Sequence, residues 1–248
     1  MFKGFYNLTS GMLTQGRRLD VIANNMTNVA TTGFKSEKFT ASTFDEVVWS
    51  LVGNKNKQYT QLGTVSYITA PSQLYTDYTP GSFDETGLPL DFVIEGEGFF
   101  AAQTADGPVY TRKGNFSLDD EGYLCLPGVG RVLDPDGQEI QIYTDQVQVN
   151  DYGQIFMEGG GYLGRLGVFA FEDNGQLTKG DQGLFTSQAQ GEAVDVRLRQ
   201  GMVERSNVDL IRQMTEMIES QRAYQSAAQV TKIYDQLMTK ATTDVGRL

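Results

Sequence analysis

The chain has 248 residues, enough for one large domain or two small ones. Its 20 basic residues stand against 31 acidic ones, a net charge of −11, which argues against nucleic acid or an anionic membrane as the main partner. There is no histidine and a single cysteine, so a Ser-His-Asp triad, a His-ligated zinc and an intrachain disulfide are all excluded.

The chain opens Met1-Phe-Lys-Gly-Phe-Tyr-Asn-Leu-Thr-Ser10, with no uninterrupted apolar core and no small-residue cleavage pattern, so no cleavable secretory signal is expected there. No apolar run approaches the length that spans a bilayer. Instead Phe5, Leu8, Met12, Leu19, Ile22, Met26 and Val29 follow one another in alternating steps of three and four, with Gln15 in the one vacant slot. That spacing predicts an amphipathic helix from near Phe2 to about Ala30 with a narrow apolar seam. Gly33 suits a left-handed C-terminal cap, and Phe34 is placed to fold back on the last turn. Asn24, Asn25 and Asn28 are poor helix formers. They read either as a fraying last turn or as amides that hydrogen-bond a neighbouring chain.

Residues 36–62 read as a connecting segment. Thr40-Ala-Ser-Thr-Phe-Asp-Glu-Val-Val-Trp-Ser-Leu-Val52 suits a short helix or an extended arm, and Gly53-Asn-Lys-Asn-Lys57 a polar turn. From Gly63 to about Gly201 the pattern becomes alternating, with turn residues about every eight to twelve positions, as in an all-β domain. A repeat recurs in it: Phe116-Ser-Leu-Asp-Asp-Glu-Gly-Tyr-Leu124, Val147-Gln-Val-Asn-Asp-Tyr-Gly-Gln-Ile155 and Phe169-Ala-Phe-Glu-Asp-Asn-Gly-Gln-Leu177. Each ends a strand on inward apolar residues, opens a turn on Asp or Asn and offers Gly for positive φ, which predicts hairpins uninterrupted by helix.

The C-terminal segment mirrors the first. Leu210, Met214, Met217, Gln221, Tyr224 and Ala228 form one stripe, and Ala223, Ala227, Val230, Tyr234, Leu237 and Ala241 a second beside it. Ser206-Asn-Val-Asp209 suits a capping box, Ser206 as the cap and Asp209 in the first turn, with the helix running to about Asp244 and Gly246 past its end. Each terminal helix thus carries a Gln in its seam, the kind of polar residue that fixes register and partner number at some cost in stability. Two arrangements stay open: an intramolecular pair, or a helical layer shared between subunits. The division is 1–35 and 206–248 helical, 36–62 connecting and 63–205 β-rich, an α+β fold whose terminal helices pack as a coiled-coil-like layer around an inserted antiparallel β domain.

Nothing here points to catalysis, a cofactor or a metal. Asp119, Asp120, Glu121, Asp134 and Asp136 are the densest acidic group, yet no turn has the alternating acids, Gly and distal Glu of a calcium loop. Gly128-Val-Gly-Arg131 and Gly159-Gly-Gly161 lead into strand-like segments rather than helices, so they read as loops and not as phosphate cradles. Cys125 sits in a strand-like apolar setting and reads as a small core residue. Paired carboxylates for glycoside chemistry need a separation that no sequence displays.

Three stretches carry a resemblance. Arg18-Leu-Asp-Val-Ile-Ala-Asn-Asn-Met-Thr-Asn-Val-Ala-Thr-Thr-Gly-Phe-Lys35 resembles the N-terminal signature of the flagellar basal-body rod and hook proteins. Ser206-Asn-Val-Asp-Leu210, with Met214-Thr-Glu-Met-Ile-Glu-Ser-Gln-Arg-Ala-Tyr-Gln225, is similar to that family's C-terminal helix. Gly96-Glu-Gly-Phe-Phe100 and Tyr110-Thr-Arg-Lys-Gly-Asn-Phe116 resemble its middle domain. The resemblance implies a structural subunit of the flagellar axis, most like a proximal or distal rod protein, with a hook-type subunit as the variant within the family. It implies partners among copies of itself and related rod and hook proteins, and export unfolded through the flagellar export apparatus to a site outside the cytoplasmic membrane. No small-molecule substrate or membrane insertion is expected. The subunit interface then falls on Phe5, Leu8, Met12, Gln15, Leu19, Ile22, Asn25, Met26, Val29, Leu210, Met214, Met217, Gln221, Tyr224, Ala228 and Leu237. The rivals are a carbohydrate-binding or carbohydrate-active β domain with oligomerising helices and, less well matched, an anchored adhesin.

Overall fold

The computed structural model describes residues 2–52, 59–157, 159–189 and 191–245. The expected turn at 53–57 and the expected stop at Gly246 lie outside the described residues. The chain is α+β: a helix near each end and a largely antiparallel β middle. It divides into two compact units. One comprises Met1–Met26, Glu37–Tyr75 and Asp209–Leu248, and the other Thr27–Ser36 and Thr76–Val208. The strands counted from 63 in the sequence therefore split at Thr76, and the segment after the first helix goes with the β unit.

The helix unit contains α1 (Phe2–Thr27) and, after the chain has passed through the β unit, two long strands, β1 (Glu37–Val52) and β2 (Tyr59–Thr76). These two pair with each other in a two-stranded sheet. Of the two options for this stretch, helix or extended arm, the extended one is found. The β-branched and aromatic residues that crowd it favour a pleated ribbon over a helix. Helix α1 stops at Thr27, three residues short of expectation, where Asn28 and two threonines follow the polar Asn24-Asn-Met-Thr run.

The β unit holds sixteen short strands among the described residues: β3 (Phe83–Glu85), β4 (Phe92–Glu95), β5 (Phe99–Thr104), β6 (Gly107–Thr111), β7 (Ser117–Leu118), β8 (Leu124–Leu126), β9 (Gly130–Val132), β10 (Val147–Val149), β11 (Gln154–Met157), β12 (Tyr162–Arg165), β13 (Val168–Ala170), β14 (Leu177–Lys179), β15 (Leu184–Ser187), β16 (Glu192–Ala193), β17 (Arg197–Gln200) and β18 (Met202–Glu204). The largest sheet runs β14-β15-β6-β5-β9-β8-β7, with β13 joining β5 to β16. Smaller sheets pair β10-β11-β12, β17-β4 and β18-β3, and the pairings are antiparallel. Helix α2 (Leu210–Val245) then returns the chain to the helix unit.

Strand β5 explains where the core sits. Successive side chains of a strand point to opposite faces. Phe100 joins a cluster with Phe92, Phe116, Leu124, Val132 and Ile155, while Phe99 and Ala101 join a second one with Tyr110, Phe169 and Phe185. The strand is buried on both faces, and each fully buried side chain contributes about 1.5–3 kcal/mol before entropic losses. Gly114 lets the backbone after β6 lie against β4: Phe92 N donates to Gly114 O at 2.9 Å, and a Cβ at Gly114 would stand 1.7 Å from Phe92 O.

Two of the three repeats are hairpins. Asp119 Oδ1 accepts from the amides of Glu121 and Tyr123, Asn150 Oδ1 from those of Tyr152 and Gln154, and Gly122 and Gly153 adopt positive φ. A further copy, Asp134-Pro-Asp-Gly-Gln138, has the same bonds, with Asp134 Oδ1 accepting from Asp136 and Gln138. Its lead-in lacks the apolar-x-apolar spacing that marked the others. The third repeat is not a hairpin. Its Asp173 caps a 3-10 turn, Asn174–Gln176, and the strands on either side go to different partners, β13 to β5 and β14 to β15. A second 3-10 turn, Asp181–Gly183, follows, so short helical turns do interrupt the β region.

Candidate assembly interface

Helix α1 is rich in hydroxyl residues, and it keeps them satisfied along its own backbone. Thr9 Oγ1 donates to Phe5 O at 2.9 Å, Ser10 Oγ to Asn7 O at 3.0 Å and Thr14 Oγ1 to Ser10 O at 2.8 Å. Its apolar seam is graded. Phe5 is exposed, Leu8, Met12, Gln15, Leu19 and Met26 are half-buried, and Ile22 is buried. Val29 lies past the helix end, half-buried in the β unit. Asn25 is neither frayed nor turned to solvent. It is 1% exposed, accepts from Glu37 N at 2.9 Å and donates to Glu37 O at 2.8 Å, a two-point clamp on the first residue of β1.

Helix α2 runs antiparallel to α1. Asn25 Nδ2 reaches Gln213 Oε1 at 3.4 Å, Met12 Sδ meets Thr231 Oγ1 at 3.8 Å, and Gly4 faces the Tyr234 ring. Of the residues in contact, Gln213 and Thr231 lie beside the two apolar stripes read from the sequence, as does buried Ser220, while Tyr234 belongs to the second stripe. Leu210, Met214 and Tyr224 of the first stripe and Leu237 of the second are exposed, as is Gln221, while Met217 and Ala228 are half-buried. Sequence reading missed Ile211 (78% exposed), Ile218 and Ile233, and placed Val230 in the second stripe without counting it in the interface. The signal was present: Ile211, Met214 and Ile218, and again Val230, Ile233 and Leu237, are spaced three then four. A pairing of α1 with α2 within the chain therefore leaves both halves of α2 with large apolar side chains in solvent.

The helix start also differs from expectation. Asp209 itself is the cap, its Oδ1 accepting from the amides of Ile211 and Arg212 at 3.0 and 3.2 Å. Ser206 instead accepts from Val208 N. The carboxylate remains at the positive end of the helix dipole, as its type requires.

Where Thr27–Ser36 enters the β unit, three charges are buried together. Lys35, Arg112 and Glu204 are 1%, 4% and 1% exposed. Lys35 Nζ donates to Glu204 Oε1 at 2.6 Å and to Thr79 O at 2.9 Å, and Arg112 Nη1 lies 3.5 Å from Glu204 Oε2. Burial pulls the Lys35 and Arg112 pKa values down, against the opposing pull of Glu204. Gly33, expected as a helix cap, has φ +65, but its use is close approach. Its N donates to Glu204 O at 2.7 Å, and a Cβ there would stand 2.4 Å from the Arg112 carbonyl carbon. Phe34 does not fold on the helix: it is buried, with Lys179 Nζ 4.0 Å above its ring.

The acidic turns are held by a cation from their own chain. Arg131 bonds Asp119, Glu121 and Glu139 at 3.0, 2.5 and 2.9 Å and lies over the Tyr123 ring at 4.0 Å. The Asp119 carboxyl is held below its ordinary value first by the Tyr123 amide and then by Arg131. A depressed folded-state pKa adds stability above the ordinary carboxylate range, lost as pH falls through the lowered value. In Arg131→Ala the Asp119 carboxyl should titrate higher yet stay below the ordinary range, because the Tyr123 and Glu121 amides remain; carboxyl NMR reads this directly. Millimolar Ca²⁺ should leave the melting temperature of the wild-type protein unchanged, whereas a resident site would raise it by mass action. Cys125 is half-buried on β8, its Sγ 3.2 Å from Ser117 Oγ.

Three family models match the chain. Residues 5–35 match one described as flagella basal body rod protein, residues 93–157 the flagellar hook protein FlgE/F/G D1 domain, and residues 199–244 the flagellar basal body rod FlgEFG protein C-terminal. The chain is 31% identical to the flagellar basal-body rod protein FlgG of Bacillus subtilis, over 96% of this chain and 97% of that protein. It is 32% identical to the flagellar basal-body rod protein FlgF of Caulobacter vibrioides, over 100% of both. The chain belongs to the flagellar basal-body rod protein family. It is also 29% identical over its full length to the flagellar hook-basal body complex protein FlhO of Bacillus subtilis. A member of this family is a structural protein of the basal body and not an enzyme. Among the described residues of this rod protein, no helix is long and apolar enough to cross a membrane. The three buried charges fall one in each matched segment: Lys35 in the first, Arg112 in the second, Glu204 in the third.

Proposed function

We propose that this rod protein polymerises head to tail through α1 and α2, and that the assembled helices form the tube that transmits torque. The observation that supports it is the exposed apolar surface on both halves of α2, which a helix of a neighbouring subunit would cover. Within this reading Phe5, Leu8, Met12, Gln15, Leu19, Met26, Leu210, Met214, Met217, Gln221, Tyr224, Ala228 and Leu237 make or flank the contacts between subunits. Ile22, Asn25 and Val29 hold their own chain in place behind them. Two open clefts of the helix unit offer seats for incoming side chains, one lined by Met12, Leu13, Arg17 and Tyr224, the other by Val21, Phe39 and Leu74. A head-to-tail contact uses different patches on its two sides and does not close, so it yields a filament and not a ring or dimer.

The partners are copies of the chain and related rod and hook proteins, and the chain reaches them unfolded through the flagellar export apparatus. Family membership favours this reading over a carbohydrate-binding domain. Negative-stain microscopy and sedimentation of the purified protein at rising concentration test it. Filaments or open-ended oligomers are expected, with amides of residues 210–245 exchanging slowly in the polymer and faster in the dilute monomer. A protein that stays monomeric at high concentration and binds a glycan would overturn it.

A further inference from the structure

The chain passes between the helix unit and the β unit four times, after Met26, Ser36, Tyr75 and Val208. Inside the β unit, three of those passages are bonded to one another. Asn207 Oδ1 accepts from Ser36 N at 2.7 Å, Asn207 Nδ2 donates to Asp77 O at 2.8 Å, and Asp77 N donates to Ser36 O at 2.8 Å. Asn207 N also donates to Phe34 O. Immediately inward lies the charge cluster. Glu204 Oε1 accepts from both Lys35 Nζ and Gly81 N (2.9 Å), and Glu204 O from Gly33 N. Two residues, Glu204 and Asn207, thereby join positions 33–36, 77–81 and 204–207.

We propose that Asn207 and the Lys35–Glu204–Arg112 cluster form a clasp, a conformational device that makes these three passages one joint, opening as a unit and separately from the sheets beneath. Charge gives the reason for the shared opening. Two cations face a single carboxylate in a site closed to water, and Arg112 Nε and Nη1 and Glu204 Oε2 have no hydrogen-bond partner there. Asp77 and Glu97 are the other acids near enough to be felt. If the carboxylate's charge is lost, Lys35 either gives up its proton or keeps its charge, but Arg112 cannot shed its own, so at least one buried cation is left without its partner and is driven towards water. The segments it holds move with it. Neutral backbone bonds alone would let each passage fray by itself.

Hydrogen exchange on the full-length protein tests this, with Glu204→Gln and Asn207→Ala. The reporters are the amides of Gly33, Ser36, Asp77 and Gly81, against Leu124 and Leu133, whose amides bond Ile140 O and Ala101 O in the sheet core. In Glu204→Gln all four joint amides should exchange about 100-fold faster while the core amides keep their rates. In Asn207→Ala, Gly33 and Gly81 should accelerate along with Ser36 and Asp77, although neither bonds Asn207. Acceleration confined to the amides that lost a direct partner would overturn the clasp, since the bonds would then act singly. So would equal acceleration of Leu124 and Leu133, which would make the cluster an ordinary part of global stability. Should Glu204→Gln not fold, Asn207→Ala, which leaves all three charges in place, carries the comparison.

Discussion

Met214→Glu should abolish polymer formation and, in a cell that depends on this subunit, motility, while leaving the β unit folded. In the free chain Met214 is 50% exposed, so the new carboxylate stays in water and changes stability by no more than about 0.5 kcal/mol. In the polymer it must either hold water inside the contact or lose it unpaired, at about 3–5 kcal/mol, the range found when a buried pair loses one partner. A weakening of about 3 kcal/mol corresponds to roughly a hundredfold rise in the concentration needed to assemble. Ile211→Glu should act in the same way, and Lys232→Glu, at an exposed polar position, should assemble normally. Ile22→Glu makes the contrast: Ile22 is buried within the chain, so its substitution should disrupt the helix unit before assembly begins. Normal filaments from Met214→Glu would remove α2 from the interface. Loss of the β unit's own melting transition in that variant would place α2 in its core.

The second large effect is expected at Gly114→Ala. The added Cβ would sit 1.7 Å from Phe92 O and 2.8 Å from Phe92 C, both backbone atoms that no rotamer change can move. Strand β4 must retreat, and Phe92 leaves its place beside Phe116 and Phe100. Overpacking of this kind destabilises by about 3 kcal/mol, and for a unit of this size the melting temperature should drop by roughly 10 °C. The same substitution at Gly16 should have the opposite sign. No atom lies within 4 Å of a Cβ there, and Ala in a helix interior is favoured by about 1 kcal/mol. A Gly114→Ala protein that melts like wild type would mean that β4 and the 112–116 segment are farther apart than described.

The helices were legible because a stripe at three-and-four spacing needs only local residues, and α1 and α2 lie where the stripes are. What each stripe faces was not legible. In α2 the side chains that meet α1 include Gln213 and Thr231, which no apolar pattern marks, so of the two stripes the reading rested on the one at Leu210, Met214 and Tyr224, which faces water, although Tyr234 of the second stripe does meet α1. The hairpins at Asp119 and Asn150 followed from turn chemistry, which is again local. At Asp173 the same chemistry served a 3-10 turn, because strand partners are chosen by the sheet and not by the turn. The Lys35–Glu204 bond joins residues 169 apart, and a lone Lys and a lone Glu give no local mark of burial. Asp209 took the cap from Ser206 because Ser206 and Asn207 are held in the β unit, so the helix can begin only after them.

The same separation governs when the β unit can finish folding. Its first segment, Thr27–Ser36, is made early and its last strand, Met202–Glu204, late, with most of the molecule between them. Contacts so distant in sequence form slowly, because a long loop must be closed before any of their energy is returned. A chain emerging from its N-terminal end would have Lys35 and Arg112 in place, with no carboxylate to receive them, until the strand carrying Glu204 has followed. The contact that ties the two ends of the unit is therefore among its latest events, and it gives the chain a clock: up to that moment it is open, and after it the two termini start from fixed points.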